Sequence, residues 1–207
     1  MRLEKVSIYS CSSPGISSPE SKISFSGKEY LKKDSNYVEV TKVNQANIDS
    51  INRVHFIGIG GIGMSALAKF FLFRNIEVSG YDKVCSSLTK SLSKEGANIF
   101  YEDDLSLIKS TDEIDLVVYT PAIPSENRQL DYFSSSKTPL HKRAYVLGQI
   151  TKSYHTIAVA GTHGKTTTSS IIAHLLQDNK CGGVSFLGGI STNYNSNILL
   201  QDGNNAV

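Results

Sequence analysis

Two glycine-rich loops constrain this chain more than any other feature of its sequence. The first loop covers residues 58–63 and the second loop covers residues 161–167. Each follows a short apolar run and precedes a stretch in which apolar residues recur at helical spacing. A strand–loop–helix unit of this kind directs backbone N–H groups and the positive end of a helix dipole at an anion. The sequence therefore predicts two phosphate sites, about 100 residues apart, in an α/β protein.

The first loop lies between the apolar strand Val54–Ile57 and a helix that begins near Met64. Its glycines Gly58, Gly60 and Gly63 permit a tight turn, the close approach of a diphosphate and close helix packing. Asp82 ends the next strand, where an acid can accept hydrogen bonds from a ribose hydroxyl. These features predict a nucleotide diphosphate site, although they fit a dinucleotide and a nucleotide sugar equally. The alternative is a glycine-rich packing turn beside a solvent-exposed Asp82.

The second loop follows the apolar strand Thr156–Ala160 and opens an amphipathic helix. In such a loop Lys165 can reach the β- and γ-phosphates, and the Thr166 hydroxyl can ligate Mg²⁺. The pattern is the short Gly-Thr-x-Gly-Lys-Thr variant, because Val159 stands where the strict pattern has glycine. His163 can contact a phosphate or substrate, or it can serve local loop packing. A threonine-rich helix cap is the alternative, and it leaves the lysine unexplained.

Alternating strands and helices predict two consecutive α/β domains. Residues 38–150 are expected to form a Rossmann-like domain with a parallel sheet, and residues 151–207 the start of a P-loop ATPase domain. Residues 1–37 hold ten serines and no sustained periodicity, which favours a disordered extension over an acid-rich transit peptide. Because the second α/β unit is short for independent folding, we expect the chain to be part of a longer reading frame.

Composition excludes several function classes. Lys and Arg number 21 against 19 Asp and Glu, so no broad nucleic-acid-binding face is expected. No apolar run approaches the roughly 20 residues that span a membrane.

Three distant cysteines fit neither a zinc site nor a disulfide framework, which predicts a reducing, cytoplasmic location. The oligomeric state is not predicted. Four histidines lack metal-ligand spacing and are expected to be structural or exposed: His55, His141, His155 and His174.

The tandem loops resemble those of the Mur ligases, a family of peptidoglycan-synthesising enzymes. Four segments carry the resemblance, which covers about residues 52–207: His55–Ser65, Ser79–Asp82, Lys142–Ala144 and Ala160–Thr168. It implies an ATP- and Mg²⁺-dependent ligation in which a carboxylate becomes an acyl phosphate and an amine then displaces phosphate. His163 favours the branch that accepts UDP-N-acetylmuramate, with L-alanine as the amine. The murein-recycling branch shares the second loop but lacks the first loop's form, and it is the alternative within the family.

The resemblance also implies the site residues. The UDP-sugar would be bound by Gly58, Gly60, Gly61, Ile62, Gly63, Met64, Asp82, Thr120, Ala122, Ile123 and Arg143. ATP would be bound by Gly161, Thr162, His163, Gly164, Lys165, Thr166 and Thr167. Lys165, Thr166 and His163 would be catalytic, and Thr166 would also ligate Mg²⁺. Tyr145 stands where the family usually has glutamate, and the family's acidic Mg²⁺-binding segment would start beyond Val207. The isolated chain is therefore expected to lack ligase activity.

Two function classes outside ligation remain open. An NAD-dependent oxidoreductase or NAD-sensing module would use the first loop alone, and it leaves the second loop unexplained. A non-catalytic module that binds a UDP-sugar would keep the first site without turnover.

Overall fold

The computed structural model describes residues 7–11, 23–25, 28–33, 36–40, 48–108 and 111–207. The chain divides into two compact units, residues 1–12 with 48–207 and residues 13–47. Strand β1 (Ser7–Cys11) belongs to the larger unit. The smaller unit is an antiparallel sheet in the order β2-β3-β4, formed by β2 (Ile23–Phe25), β3 (Lys28–Lys33) and β4 (Asn36–Val40).

These four strands fall partly within residues 1–37, the predicted disordered extension. Ile23 and Phe25 alternate with a polar residue, and their strand pairs with Lys28–Lys33 in register Ile23 to Tyr30. The other parts of the extension lie outside the described residues. The domain boundaries at residues 37 and 150 therefore stay predictions.

A five-stranded parallel sheet carries the first loop, in the order β7-β6-β5-β8-β9. Its strands are β5 (Arg53–Ile57), β6 (Glu77–Tyr81), β7 (Asn98–Phe100), β8 (Leu116–Tyr119) and β9 (Leu140–Lys142). Its helices are α1 (Ile62–Phe73), α2 (Ser87–Lys94), α3 (Arg128–Ser135) and α4 (Arg143–Thr151). The strand order reverses between β5 and β8, which is where ligands bind in open α/β sheets. The predicted Rossmann-like architecture is confirmed.

Helix α3 and strand β9 were not predicted from the sequence. Asn127 caps α3 by accepting from the Leu130 N–H, and the Asp103 carboxylate accepts from the N–H groups of Arg128 and Gln129. Asp103 lies 25 residues before Arg128, so no local pattern reveals this cap. Strand β9 is only three residues long and mostly polar, which leaves no apolar run to detect.

A second five-stranded sheet carries the second loop, in the order β1-β10-β13-β11-β12. Its remaining elements are β10 (His155–Ala160), α5 (Lys165–Asp178), β11 (Gly183–Ser191), β12 (Ser196–Leu200) and β13 (Asn205–Ala206). Strand β13 pairs in parallel with β10 and β11, whereas β1 and β12 are antiparallel edge strands.

The two sheets share one hydrophobic cluster. Helix α1 packs against β11 and β12, and the Phe70 and Phe186 rings lie 5.9 Å apart between centroids. Val184 and Ile198 of the second sheet are buried with Phe56 of the first sheet and Phe71 of α1. The helix that opens after the first loop is therefore also a wall of the second sheet. Among the described helices, none is both long and apolar enough to cross a membrane.

Candidate functional site: two glycine loops and an adjoining cleft

Hydrogen bonds to the neighbouring strand hold the first loop. Gly58 has φ +88°, and its N–H donates to the Tyr81 carbonyl at 2.8 Å, as the Ile59 N–H does at 3.0 Å. The Gly60 N–H donates to Oδ2 of Asp82 at 2.7 Å. A Cβ on Gly60 would lie 2.8 Å from that oxygen. Position 60 therefore requires glycine, because the loop brings its backbone close to the Asp82 carboxylate.

The N-terminus of α1 presents backbone donors and no negative charge. Gly61 precedes the helix, and the first turn contains no acidic residue. The N–H groups of the first turn, at residues 62–64, have no acceptor within the helix. Arg143 crosses the same turn, since its Nη1 atom lies 2.7 Å from the position that a Cβ on Gly63 would take. A guanidinium and a helix N-terminus therefore face one space, which suits a diphosphate.

A cleft of about 380 Å³ extends from this turn to the second sheet. The predicted site residues that line the cleft are Gly61, Ile62, Gly63, Met64, Thr120, Ala122 and Arg143. Its wall on the second sheet is Phe186–Gly188 of β11, which sequence reasoning did not place there. Ile123 instead packs against the first loop, because its Cδ1 atom lies 2.9 Å from the position that a Cβ on Gly58 would take.

Asp82 lies at the carboxyl end of β6, as predicted, and already has two backbone partners. Its Oδ2 accepts from the Gly60 N–H and its Oδ1 accepts from the Val84 N–H at 2.9 Å. Each carboxylate oxygen can accept a second hydrogen bond. The structure thus gives Asp82 a role in shaping the loop, and its contact with a ribose stays a prediction.

The second loop lies between β10 and α5 and is exposed over residues 162–167. Gly161 and Gly164 have φ +149° and +75°, and Gly164 caps α5, whose first turn has no acidic residue. The Lys165 Nζ donates to the carbonyls of Gly161 and Thr162 at 2.6 and 3.0 Å. The ammonium group therefore rests on its own loop and has to turn away from these carbonyls to reach a phosphate.

Thr166 places its hydroxyl against the second sheet. Its Oγ1 atom lies 3.1 Å from the position that a Cβ on Gly188 would take, so the bare backbone of β11 leaves room for it. Gly188 also lines the cleft. No group of three or more His, Cys, Asp or Glu residues that could hold a metal is found in the described part of the chain. A hydroxyl beside phosphate oxygens fits Mg²⁺, which prefers oxygen ligands and commonly binds through substrate phosphates.

Two family descriptions match the chain in tandem. "Mur ligase family, catalytic domain" matches residues 53–155, and "Mur ligase middle domain" matches residues 159–204. The chain belongs to the Mur ligase family. Enzymes of this family are ATP-dependent ligases.

Relatives of known name point to one branch of the Mur ligases. The chain is 52% identical over 160 residues to the UDP-N-acetylmuramate–L-alanine ligase of Parabacteroides distasonis, covering 75% of this chain and 34% of that protein. It is 50% identical over 157 residues to the Porphyromonas gingivalis ligase of the same name, covering 73% of this chain and 34% of that protein. The chain thus spans about a third of the length of these relatives.

Solved structures of Mur ligases share the fold. The UDP-N-acetylmuramate–alanine ligase of Thermotoga maritima has a TM-score of 0.65 at 31% identity, over 74% of this chain and 36% of that chain. The UDP-N-acetylmuramate:L-alanyl-gamma-D-glutamyl-meso-diaminopimelate ligase of Neisseria meningitides has a TM-score of 0.67 at 23% identity, over 76% of this chain and 52% of that chain. The second likeness concerns the fold alone.

Tyr145, the position at which the resemblance to the Mur ligases implies a glutamate, forms an aromatic pair with His141. Tyr145 stacks on His141 with ring centroids 4.4 Å apart. His141 is buried, and this burial lowers the pKa of its imidazole. The local environment is thus packed and apolar, and Tyr145 offers no carboxylate to the cleft.

His55, in the segment that leads into the first loop, is a buried structural residue, as predicted. Its Nδ1 lies 2.8 Å from the Ser79 hydroxyl and its Nε2 lies 2.9 Å from Oε1 of Gln129. Burial lowers the pKa of His55 to about 4, although the hydrogen bond with Gln129 acts in the opposite direction. The imidazole is therefore neutral near pH 7.

Asn197 of β12 supports the first loop from the second sheet and was missed by sequence reasoning. Its Nδ2 donates to the Ile62 carbonyl at 2.6 Å and to the Ser65 hydroxyl at 2.9 Å. Ser65 lies 132 residues earlier in the chain. No local signal in the sequence could have identified this contact.

Proposed function

We propose that the first loop binds UDP-N-acetylmuramate and the second loop binds Mg²⁺-ATP, for the ligation of L-alanine to the muramoyl carboxylate. One observation carries the proposal: the cleft begins at the α1 N-terminus and ends on β11 at Gly188, against which Thr166 rests. A substrate whose diphosphate binds at the first loop can therefore extend its far end towards the second loop.

The diphosphate would be held by the first-turn amides of α1 and by Arg143. Charged hydrogen bonds between N–H donors and phosphate oxygens are about twice as strong as neutral ones. The Gly60 amide is already committed to Asp82, so the loop keeps its shape before a ligand arrives. Thr120 and Ala122 would line the sugar-facing wall, and Asp82 would accept from the ribose.

ATP would be held by the amides of residues 161–167. Lys165 would exchange the two loop carbonyls for phosphate oxygens, and Thr166 would ligate Mg²⁺. The metal ion, when bound, would offset negative charge on the phosphates. His163, exposed on the same loop, completes the proposed set as a group that contacts phosphate or substrate.

The proposed reaction has two steps. A muramoyl carboxylate oxygen forms a bond to the γ-phosphorus while the bond from that phosphorus to the ADP oxygen breaks. The L-alanine nitrogen then bonds to the acyl carbon, phosphate leaves with its bridging oxygen, and the nitrogen loses its proton. Lys165 would place a fixed positive charge where negative charge shifts during the first step. We place the reaction in the cytoplasm, where the exposed free thiols of Cys85 and Cys181 would stay reduced.

Titration calorimetry of the 207-residue chain tests the ligand assignment. We expect binding of UDP-N-acetylmuramate and no comparable binding of NADH. Arg143→Ala should weaken UDP-N-acetylmuramate binding by roughly 10- to 100-fold, because a charged hydrogen bond contributes about 1.5–3 kcal/mol. Lys142→Ala is the matched control, since Lys142 is exposed and does not line the cleft. Tight NADH binding without UDP-sugar binding would refute the proposal.

A further inference from the structure

An anchored aromatic ring lies beyond Asp82, on the side of the first loop away from the cleft. Tyr101 directly follows β7, and its side chain is 39% exposed. Its hydroxyl donates to Oγ1 of Thr89 at 3.1 Å. Thr89 is fully buried, and its Oγ1 also accepts from the Ser86 N–H and donates to the Ser86 carbonyl. The threonine hydroxyl is thereby saturated, so the tyrosine hydroxyl has a fixed donor role and the ring a fixed position.

This ring is adjacent to the first loop. The Asp82 N–H donates to the Phe100 carbonyl at 3.0 Å, which places Asp82 beside the residue that precedes Tyr101. The Cγ2 atom of Thr89 lies 2.9 Å from the position that a Cβ on Gly60 would take. The pKa of Tyr101 agrees with this position: the hydrogen bond to Thr89 lowers it, but the Cys85 thiol, partial burial and the Asp82 carboxylate raise it overall.

We propose that Tyr101 is the stacking platform for the nucleobase of the nucleotide that binds at the first loop. The inference rests on the proposed function, in which a nucleoside diphosphate runs from the α1 N-terminus past Asp82. The next element in that direction is the carboxyl end of β7, because β7 pairs with β6 on the side away from β5. Tyr101 presents an exposed aromatic surface there, and every nucleobase has a face that can stack on it.

The committed hydroxyl predicts what Tyr101 does not do. Its proton is used by Thr89, so the hydroxyl has no proton left to donate to the hydrogen-bonding edge of the base. The ring then contributes affinity through its face, and a phenylalanine should serve nearly as well. Stacking of a base on an aromatic side chain is worth roughly 5- to 150-fold in affinity.

The experiment compares the binding of UDP and of inorganic pyrophosphate by calorimetry, in the 207-residue chain and four variants. Tyr101→Ala and Tyr101→Leu should weaken UDP binding by roughly 5- to 150-fold and leave pyrophosphate binding unchanged. Tyr101→Phe should bind UDP almost as the parent does. Tyr132→Ala is the matched control, because Tyr132 is similarly exposed, at 37%, and lies on α3 with its hydroxyl bonded to Thr111.

The outcomes separate this inference from the proposed function. Normal UDP binding by Tyr101→Ala or by Tyr101→Leu would overturn the stacking role while leaving the proposed function intact. Equal losses for UDP and pyrophosphate would also overturn it, since the ring would then act only through the shape of the loop. A parent chain that binds neither UDP nor UDP-N-acetylmuramate would refute the proposed function itself.

Discussion

The first loop is held by hydrogen bonds to the neighbouring strand, whereas the charged group of the second loop bonds to its own loop. Tyr81 and Asp82 accept three N–H groups of residues 58–60, and α1 behind the loop has seven buried residues. Residues 162–167 are exposed, and of the α5 residues only Ala173 is buried. The same local pattern, strand–glycine loop–helix, thus occurs twice. The first loop is a fixed loop, held by its neighbours, and the second loop is an exposed loop.

This difference has a functional consequence. A loop whose amides are already positioned binds a phosphate without reorganisation, and such preorganisation favours tight binding. The second loop has to release the Lys165 ammonium from two carbonyls before it can bind phosphate. We therefore expect UDP-sugar binding to depend on the neighbours of the first loop, and ATP binding to depend on the residues of the second loop itself.

The largest expected effect concerns the two histidines in the strands that lead to the loops. His55 in β5 is buried with a pKa of about 4, whereas His155 in β10 is exposed. The unfolded chain takes up a proton near pH 6.5 and the folded chain only near pH 4, so His55 destabilises the fold as the pH falls through that window. The loss should reach about 3 kcal/mol between pH 7 and pH 4.

Urea unfolding at pH 7 and pH 4 measures this loss. His55→Gln should remove most of the dependence, and the control His155→Gln should keep it. A smaller loss of stability between pH 7 and pH 4 should persist in His55→Gln, because burial also lowers the pKa of His141. An unchanged slope in His55→Gln would show that the buried histidine of the first sheet does not set its acid sensitivity.

The second prediction concerns Lys165, the charged residue of the exposed loop. Lys165→Ala should weaken Mg²⁺-ATP binding roughly 10- to 100-fold, since hydrogen bonds to charged groups contribute about 1.5–3 kcal/mol. UDP-N-acetylmuramate binding should not change, because Arg143 and the amides of α1 would hold that ligand. Fluorescent-nucleotide titration measures the affinities for Mg²⁺-ATP and for UDP-N-acetylmuramate. Lys152→Ala is the control, because Lys152 is exposed. Normal ATP binding by Lys165→Ala would mean that the second loop is not the ATP site.

The third prediction exploits neighbouring glycines of the fixed loop. A Cβ on Gly60 would lie 2.8 Å from Oδ2 of Asp82 and 2.9 Å from Cγ2 of Thr89, whereas a Cβ on Gly61 would meet Met64 at an ordinary 3.7 Å. Overpacking of this kind costs about 1–3 kcal/mol. Gly60→Ala should therefore lower the free energy of unfolding by about 2 kcal/mol, and Gly61→Ala should leave it almost unchanged. Equal stabilities in urea unfolding would contradict the close approach at Gly60.

Both loops could be located from the sequence because everything that defines them is contiguous. A strand, a glycine spacing and a helix start occur within about 15 residues at each site. The contacts that distinguish the loops join separate elements and escaped prediction: Asn197 reaches α1 across 132 residues, and Tyr101, directly after β7, meets Thr89 of α2. Asp82 was predicted as a ligand residue, and its bonds to Gly60 and Val84 became visible only in three dimensions.

The smallest expected effect tests whether the fixed form of the first loop depends on the second sheet. Asn197 is 1% exposed, and its Nδ2 donates to the Ile62 carbonyl and the Ser65 hydroxyl. Its Oδ1 has no hydrogen-bond partner among the described residues. Asn197→Ala would lose two hydrogen bonds of about 1 kcal/mol each but would also remove a buried unpaired oxygen, so the net cost should be about 1 kcal/mol.

The effect on ligands should be selective even though the cost in stability is small. Ile62 and Ser65 belong to the first two turns of α1, whose amides would hold the diphosphate, so Asn197→Ala should weaken UDP-N-acetylmuramate binding by a few-fold, in proportion to about 1 kcal/mol. Mg²⁺-ATP binding should stay the same, because the two hydrogen bonds that the Asn197 amide donates both go to α1 and not to residues 161–167. Asn193→Ala, at an exposed position in the turn between β11 and β12, is the control. A loss of ATP affinity without a loss of UDP-sugar affinity would mean that β12 supports the exposed loop, and the fixed loop would then owe its shape to its own sheet alone.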